Sequence, residues 1–112
     1  MIKLRKADTV FSRWIKKRDN YTCQRCKKAD QDPRGLHCAH FITRRNEATR
    51  FLEINADCYC YGCHSFFHQH PEEHRAWKET QLGPELFLEL TTIRKRTIVK
   101  KDDEAVIERY KA

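Results

Sequence analysis

The sequence predicts one small α+β domain that needs more than its hydrophobic core to hold it together. The chain has 112 residues, enough for one domain over 1–112 with a core at about 21–70 and a C-terminal helical extension at about 71–112. Only 39% of the residues are apolar, so the core alone would be thin. Six cysteines supply the kind of cross-link that small domains add. Short apolar runs followed by longer helical patterns give the α+β class.

The N-terminal segment is predicted to be a helix that leads into a cysteine pair. Asp8 suits the cap of a helix over 8–19, and Asn20 suits the left-handed position that ends it. Apolar residues at 10, 11, 14 and 15 recur at helical spacing. A short strand over 21–26 is then expected to enter the first Cys-x-x-Cys turn.

Two further strands are predicted in the middle of the chain. Turn residues at 32–35 precede a strand over 36–42. Residues 43–49 are polar and basic, which predicts a loop. Apolar residues at 51, 52 and 54 predict the second strand, and a helix is expected to begin near the second cysteine pair.

The C-terminal region is predicted to be helical. Pro71, with two acidic residues after it, begins a helix that stops at Gly83, and residues 84–94 form the next helix. Asp102 or Asp103 caps a last helix. The side chains expected to face inward from helix 84–94 are Leu86, Phe87, Leu90 and Ile93.

Two Cys-x-x-Cys pairs predict a structural zinc site. Each pair places two thiolates on one side of a tight turn, and two such turns complete a tetrahedron around Zn²⁺. The chain shows no secretory signal, so its thiols are expected to stay reduced in the cytoplasm and to bind metal. Cys58 is an alternative to Cys60, and Cys38 is expected to be a small core residue. The predicted ligands are Cys23, Cys26, Cys60 and Cys63.

The charge of the chain predicts DNA as a partner. Lysine and arginine number 23 against 16 acidic residues, which gives a net charge of +7. No stretch approaches the ~18 apolar residues of a membrane span, so no membrane partner is expected. The aromatic residues Trp14, Phe67, Trp77 and Phe87 fall on apolar helix stripes and are expected in the core. Expected phosphate contacts are Arg44, Arg45 and Arg50, with a second basic run, or an exposed loop, at Lys95, Arg96, Lys100 and Lys101.

Six histidines between positions 37 and 74 mark a second candidate site. His64 directly follows the second cysteine pair, and His68 lies four residues later on the same helix face. Two imidazoles at that spacing can bind one metal ion. His40 stands near the end of the strand predicted over 36–42.

The order of these residues resembles the motif of HNH (ββα-metal) endonucleases. The matching text is Cys-Ala-His-Phe at 38–41, followed by Ile-Asn-Ala-Asp-Cys-Tyr-Cys-Tyr-Gly-Cys-His at 54–64. The resemblance implies a ββα-metal (HNH/His-Me finger) core and metal-dependent hydrolysis of DNA. The roles that it implies are His40 as general base, Asn55 as the residue that orients it, and His64 and His68 as ligands of the catalytic metal.

The metal expected at this second site is Mg²⁺ or Mn²⁺, with Ni²⁺ and Zn²⁺ as alternatives because imidazole suits them better. One position departs from the motif. Many HNH enzymes carry a metal-binding aspartate or histidine just before the base histidine, and this chain has Ala39 there. His37 and Cys38 are candidate replacements, and strand alternation places Cys38 rather than His37 on the side of His40.

A larger part of the chain resembles the NinG/Rap family of phage recombination proteins. The resemblance rests on the cysteine pairs, the Ala-His-Phe-x-x-Arg segment at 39–44 and a C-terminal helix ending in Tyr-Lys. It implies a structure-directed nuclease that acts on branched DNA in the cytoplasm of a host cell. A homodimer formed through the C-terminal helices would suit two-fold cutting. The alternatives are a non-catalytic zinc-knuckle DNA-binding module and, more distantly, a zinc-stapled adaptor for other proteins.

Overall fold

The computed structural model describes residues 2–29, 33–94 and 101–111, and within them it has six α-helices and a two-stranded antiparallel sheet. The predicted α+β class is confirmed. A membrane crossing would need a longer and more apolar helix than any in these ranges. The helices are α1 (Lys6–Arg18), α2 (Glu47–Arg50), α3 (Tyr61–Gln69), α4 (Pro71–Leu82), α5 (Pro84–Arg94) and α6 (Asp103–Tyr110). The strands are β1 (Leu36–His40) and β2 (Ala56–Cys60), and 3₁₀ turns cover Pro33–Gly35 and Glu53–Asn55.

The hairpin of β1 and β2 separates two apolar clusters. Leu36 pairs with Cys60 and His40 pairs with Ala56, so the two strands are aligned over their full length. Successive side chains of a strand point to opposite faces, which gives each cluster its own set of residues. The cluster on the side of α1 and α6 contains Phe11, Ile15, Cys38, Ala56 and Tyr110. The cluster on the side of α3 contains Cys23, Ala39, Tyr59, Cys63 and Phe67.

Helix α1 begins two residues earlier than predicted. Its cap is Arg5, and Asp8 lies inside the first turn, where its carboxylate accepts the backbone N–H of Arg5 at 2.7 Å. This is the reciprocal half of a capping box, so the prediction of Asp8 as the cap is wrong by one turn. The predicted end is confirmed, because Asn20 has a left-handed φ of 55°.

The strand predicted over 21–26 is instead a turn. The backbone N–H of Lys27 donates to the carbonyl of Cys23 at 2.8 Å, and Thr22 forms only an isolated bridge with Ala29. A strand would point alternate side chains in opposite directions, whereas a turn lets both thiols of the pair face one point. The need for both thiols to face one point therefore outweighs the strand preference of the residues in this segment.

The second strand lies at Ala56–Cys60, later than the residues at 51–54 that predicted it. The residues at 51–54 lead into the 3₁₀ turn. Strand β2 contains Asp57, and a charged residue makes a buried strand difficult to predict from the sequence. The expected loop at 43–49 contains the start of α2, which Asn46 caps by accepting the backbone N–H of Thr49 at 3.1 Å. In both segments the conformation depends on a hydrogen-bonded polar side chain, Asp57 in β2 and Asn46 at the start of α2.

The C-terminal helices form as predicted. Gly83 ends α4 with φ of 83°, and Asp102 caps α6 by accepting the backbone N–H of Ala105 at 3.1 Å. Leu86 is 43% exposed and does not face inward as expected, whereas Phe87 and Leu90 are buried. Helix α6 packs against α1 of the same chain. Residues 95–100, which hold most of the second basic run, lie outside the described residues.

A buried polar network ties α4 to β2. Lys78 is 1% exposed, and its ammonium donates to Asp57 at 2.6 Å and to Gln81 at 2.8 Å. The side-chain amide of Gln81 donates to the other oxygen of Asp57 at 2.6 Å, which closes the triangle. Burial lowers the pKa of Lys78, and Asp57 opposes that shift. Every charge in this network therefore has a partner.

Lys78→Met should lower the free energy of unfolding by about 3 kcal/mol, because it leaves the Asp57 carboxylate buried without its ammonium partner. Equilibrium unfolding in urea measures this. The matched control is Lys17→Met on the exposed side of α1, expected to change stability by less than about 0.5 kcal/mol. Equal effects of the two changes would contradict a structural role for the network.

Candidate functional site

Four cysteines form a cluster that could bind a structural metal such as zinc. Their sulfur atoms all lie within 4.8 Å of one another, and the Sγ atoms of Cys26 and Cys60 are 3.9 Å apart. A tetrahedral zinc with Zn–S distances of about 2.3 Å requires sulfur atoms about 3.8 Å apart, so the donor set fits the ion. The members are those predicted, Cys23, Cys26, Cys60 and Cys63.

Local backbone geometry builds each half of the cluster. The second half is the first turn of α3, where the Cys60 sulfur accepts the backbone N–H of Cys63 at 3.4 Å. The Arg25 guanidinium donates to the Cys63 sulfur at 3.4 Å and lies 4.2 Å from the ring centroid of Phe66. Such donors stabilise thiolates in a metal site.

Backbone hydrogen bonds favour the thiolate form of Cys23. Burial opposes ionisation, but the backbone N–H groups of Cys26, Cys60 and Arg25 outweigh it and lower the pKa of Cys23 to about 7. A thiolate is the form that binds metal, so the cluster is prepared for a cation near neutral pH.

The two remaining cysteines are core residues. Cys58 and Cys38 face each other across the hairpin and are both buried. Burial raises the pKa of Cys58 to about 12 and that of Cys38 to about 11, so both stay as neutral thiols. The cluster contains Cys60 and not Cys58, as predicted. The burial of Cys38 confirms its assignment to the core.

His40 is held as a neutral ring with a defined tautomer. Its Nε2 lies 2.8 Å from the carbonyl oxygen of Arg50, and a carbonyl only accepts, so Nε2 carries the proton and Nδ1 carries the lone pair. Burial and then the positive charge of Arg44 lower the pKa of His40 to about 4. The ring packs near Phe11, with ring centroids 5.9 Å apart. These properties suit a general base.

Two complementary polar atoms near His40 have no partner among the described residues. They are the Nδ1 acceptor of His40 and the Nε–H donor of Arg44, both buried. Arg44 Nε is 3.5 Å from the Asp8 carboxylate without hydrogen-bond geometry. A water or a phosphate oxygen would satisfy such a pair, and buried groups of this kind call for that explanation.

Asn55 fixes the segment that follows His40. It is fully buried, its side-chain oxygen accepts the backbone N–H of Ile42 at 2.9 Å, and its amide donates to the carbonyls of Ile42 and Thr49 at 2.9 and 3.0 Å. All the polar capacity of the side chain is used in this way. The expected role of Asn55 in holding the loop agrees with these contacts.

A cluster of three histidines lies on the other side of the hairpin. Nδ1 of His37 and Nδ1 of His64 are 2.8 Å apart, and His68 lines the same cavity of about 250 Å³. Burial and the neighbouring histidines lower the pKa of His64. Ligand nitrogens on one metal ion lie about 3 Å apart for metal–nitrogen distances of 2.0–2.1 Å, so His37 and His64 can share an ion. His68 lines the cavity without joining them in a three-ligand group, because the cysteine cluster is the one such group among the described residues.

His37 is the site residue that strand alternation should have identified. It lies two positions before Ala39 on β1, so it shares the face of Ala39 and points towards α3. The sequence argument asked which residue lies beside His40, whereas His37 and His64 lie on the opposite face of the hairpin. His40 and His64 make no contact, but the charge of Arg44 lowers the pKa of both.

The three candidate phosphate contacts lie in different environments. Arg45 is exposed at a cavity beside Arg94, and Arg44 is partly buried next to Asp8. Arg50 is buried, with its guanidinium bonded to both oxygens of Asp8 at 2.9 and 2.6 Å. The interpretation of Arg50 as a DNA contact is therefore corrected, because its donors are used inside the fold.

Comparison of the chain with protein-family models, curated proteins and solved structures found no match.

The purified protein should contain one equivalent of tightly bound zinc, and Cys60→Ser should lose it because one thiolate ligand is removed. Elemental analysis after gel filtration gives the metal content, and a thermal melt reports the accompanying loss of stability. Cys58→Ser is the matched control and should keep the zinc. Loss of zinc from both variants alike would contradict the assignment of Cys60.

His40 should stay in the neutral Nε2–H form through the neutral range and titrate with a midpoint of about 4. The unfolded chain takes up this proton at a higher pH than the folded chain. The free energy of unfolding therefore falls as the pH drops from about 6.5 towards 4. Nitrogen-15 NMR of the imidazole rings measures both tautomer and midpoint. An Nδ1–H tautomer, or a midpoint near the ordinary value, would refute the bonding described for His40.

Proposed function

We propose that the protein is an HNH-type, metal-dependent DNA endonuclease, acting on branched recombination intermediates. The observation that carries the proposal is the fixed tautomer of His40, whose Nδ1 lone pair is left for a reactant beside Arg44. Most buried polar atoms in proteins are hydrogen-bonded, so the Nδ1 of His40, unbonded among the described residues, calls for an explanation. The preference for branched DNA rests on the resemblance to the NinG/Rap family alone.

His40 would remove the proton from the attacking water. Its depressed pKa keeps the ring neutral, and the carbonyl of Arg50 stabilises the Nε2–H side as Nδ1 takes up the proton. Arg44 would bind a non-bridging oxygen of the scissile phosphate through its Nε–H, which makes no hydrogen bond to the described residues and lies 3.5 Å from Asp8. Asn55 would keep the segment that carries Arg44 in place.

The catalytic metal would be held by His64 and His37, whose Nδ1 atoms are 2.8 Å apart, and His68 lines the same cavity. When bound, a divalent cation supplies Lewis-acid stabilisation to the phosphate and the leaving oxygen. An all-imidazole donor set favours Mn²⁺, Ni²⁺ or Zn²⁺ over Mg²⁺. The positive charge of Arg44 lowers the pKa of both His40 and His64 and so helps to keep both rings neutral.

The cysteine cluster would hold a structural zinc that keeps the adjoining part of the proposed site in position. His64 directly follows Cys63, so the ion would fix the first turn of α3 and with it the position of His64. The net charge of +7 and the exposed Arg45 would attract the DNA backbone.

The proposal is tested by incubating the protein with labelled four-way junction, flap, single-stranded and duplex DNA, with Mg²⁺, Mn²⁺, Ni²⁺ or no added metal. Metal-dependent cutting is expected, and His40→Ala should lower its rate by at least about 100-fold, as loss of a general base does. Gel electrophoresis of the products measures the rate and ranks the substrates.

The matched control is His70→Ala, because His70 bonds to the carbonyl of Phe66 and lies outside both histidine sites. It should cut at the rate of the unchanged protein. Cutting that survives in His40→Ala would refute the assignment of the base. DNA binding without cutting under every metal would refute the enzyme and favour the zinc-knuckle binding module.

A further inference from the structure

A cavity of about 650 Å³ lies between α1 and α6, separate from the histidine sites. Trp14 and Tyr110 form its aromatic wall, edge to face with ring centroids 5.0 Å apart. Tyr21, in the turn that follows α1, stands at its rim and is 39% exposed. The cavity therefore offers aromatic surface to solvent in a chain whose other aromatic residues mostly pack inside.

Positive charge surrounds this cavity. None of the described residues that line it is acidic. Lys111 pairs with Glu108 at 2.8 Å, but both side chains are exposed and such pairs are weak in water. The cationic side chains that α1 contributes to the lining can thus pair with an anionic ligand. The cationic residues of the lining are Lys6, Arg13, Lys16, Lys17, Arg34 and Lys111.

The backbone holds Tyr21 at the rim in an unusual conformation. Its φ is 51°, a left-handed value that a bulky residue rarely adopts, and Asn20 before it has φ of 55°. The N–H of Tyr21 bonds to the carbonyl of Lys16 at 2.9 Å, which keeps the turn closed. Strained positions of this kind concentrate at binding sites, where the surrounding structure over-determines them.

We propose that this cavity binds a single-stranded segment of DNA. One base stacks against Tyr21 and Trp14, and the flanking phosphates pair with Arg13, Lys16 and Lys17. Interleaved aromatic and cationic groups are the means by which proteins hold single strands. This inference rests on the proposed function, because it takes DNA as the partner of the protein. It adds the form of DNA that the enzyme would bind, a single strand.

The shape of the cavity favours a single strand over a duplex. Its volume falls within the range of about 300–1,000 Å³ that is typical of pockets for small ligands, enough for an unstacked base. A duplex keeps its base faces covered and presents only base edges in its grooves. The exposed ring of Tyr21 can therefore be covered by a base only when that base is unpaired.

The test is fluorescence titration of the 112-residue protein with an oligothymidylate of about 12 nucleotides, without added divalent metal. The chain has two tryptophans, so a Trp77→Phe background leaves Trp14 as the reporter. The oligonucleotide should quench Trp14 emission. Tyr21→Leu should raise Kd at least fivefold, on the order expected for one lost stack. Tyr21→Phe, which removes only the hydroxyl, should leave Kd unchanged.

Charge variants test the phosphate contacts separately. Lys16→Gln with Lys17→Gln should lower the slope of log K against log salt by about 1.4. Lys27→Gln with Lys28→Gln, a matched pair in the first cysteine turn, should leave the slope unchanged. Equal Kd for the leucine and phenylalanine variants overturns the stacking assignment. Equally tight binding of heparin or of duplex DNA, with the same dependence on Tyr21, also overturns the proposal.

The outcomes separate this proposal from the endonuclease. The titration needs no cleavage, so binding that depends on Tyr21 supports the cavity even if no DNA is cut. If the protein cuts DNA but substitutions at Tyr21 and Lys16 leave its Kd for the oligonucleotide unchanged, the endonuclease assignment stands and the single-strand site in this cavity is refuted.

Discussion

The ion pair between Asp8 and Arg50 is the interaction on which the arrangement around His40 depends. Asp8 belongs to α1, and its carboxylate receives both the Arg5 backbone N–H and two donors of Arg50. The Arg50 backbone carbonyl in turn holds His40. One buried carboxylate therefore closes the capping box of a helix, anchors the loop between the strands and sets the direction of an imidazole. Arg44 lies beside the same carboxylate, and so the pair governs the electrostatics of the site as well.

The sequence predicted the parts of this molecule that a single local rule decides. The caps and breakers of α4 and α6, the left-handed Asn20 and the two cysteine pairs each depend on a few neighbouring residues. Errors fell where distant contacts decide the conformation. Residues 21–26 turn because two thiols must meet thiols from positions 60 and 63. Strand β2 was missed because Lys78, far along the chain, compensates the charge of Asp57 inside the sheet.

The candidate site shows the same division between local and distant information. The cysteine cluster could be assigned from spacing alone, and the loop-holding role of Asn55 agreed with its contacts. The role of Arg50 could not be assigned, because a buried arginine and a phosphate-binding arginine look the same in a sequence. His37 was within reach, since counting two positions back from Ala39 gives a residue on the same strand face. The hairpin thus presents different chemistry on its two sides, one neutral imidazole towards α1 and clustered imidazoles towards α3.

The cysteine cluster also has a consequence for the order in which the chain folds. It joins positions 23 and 63, so the loop that it closes contains the whole hairpin and α2. Bringing the ends of a flexible loop of that length together costs about 3 kcal/mol of chain entropy before any reward arrives. If a metal ion bound both cysteine pairs early in folding, its binding would offset the entropy of closing this loop. The two strands would then pair inside a loop whose ends are already held together. The ion would act on folding kinetics as a nucleus, and free metal in the cell would set how quickly a new chain becomes native.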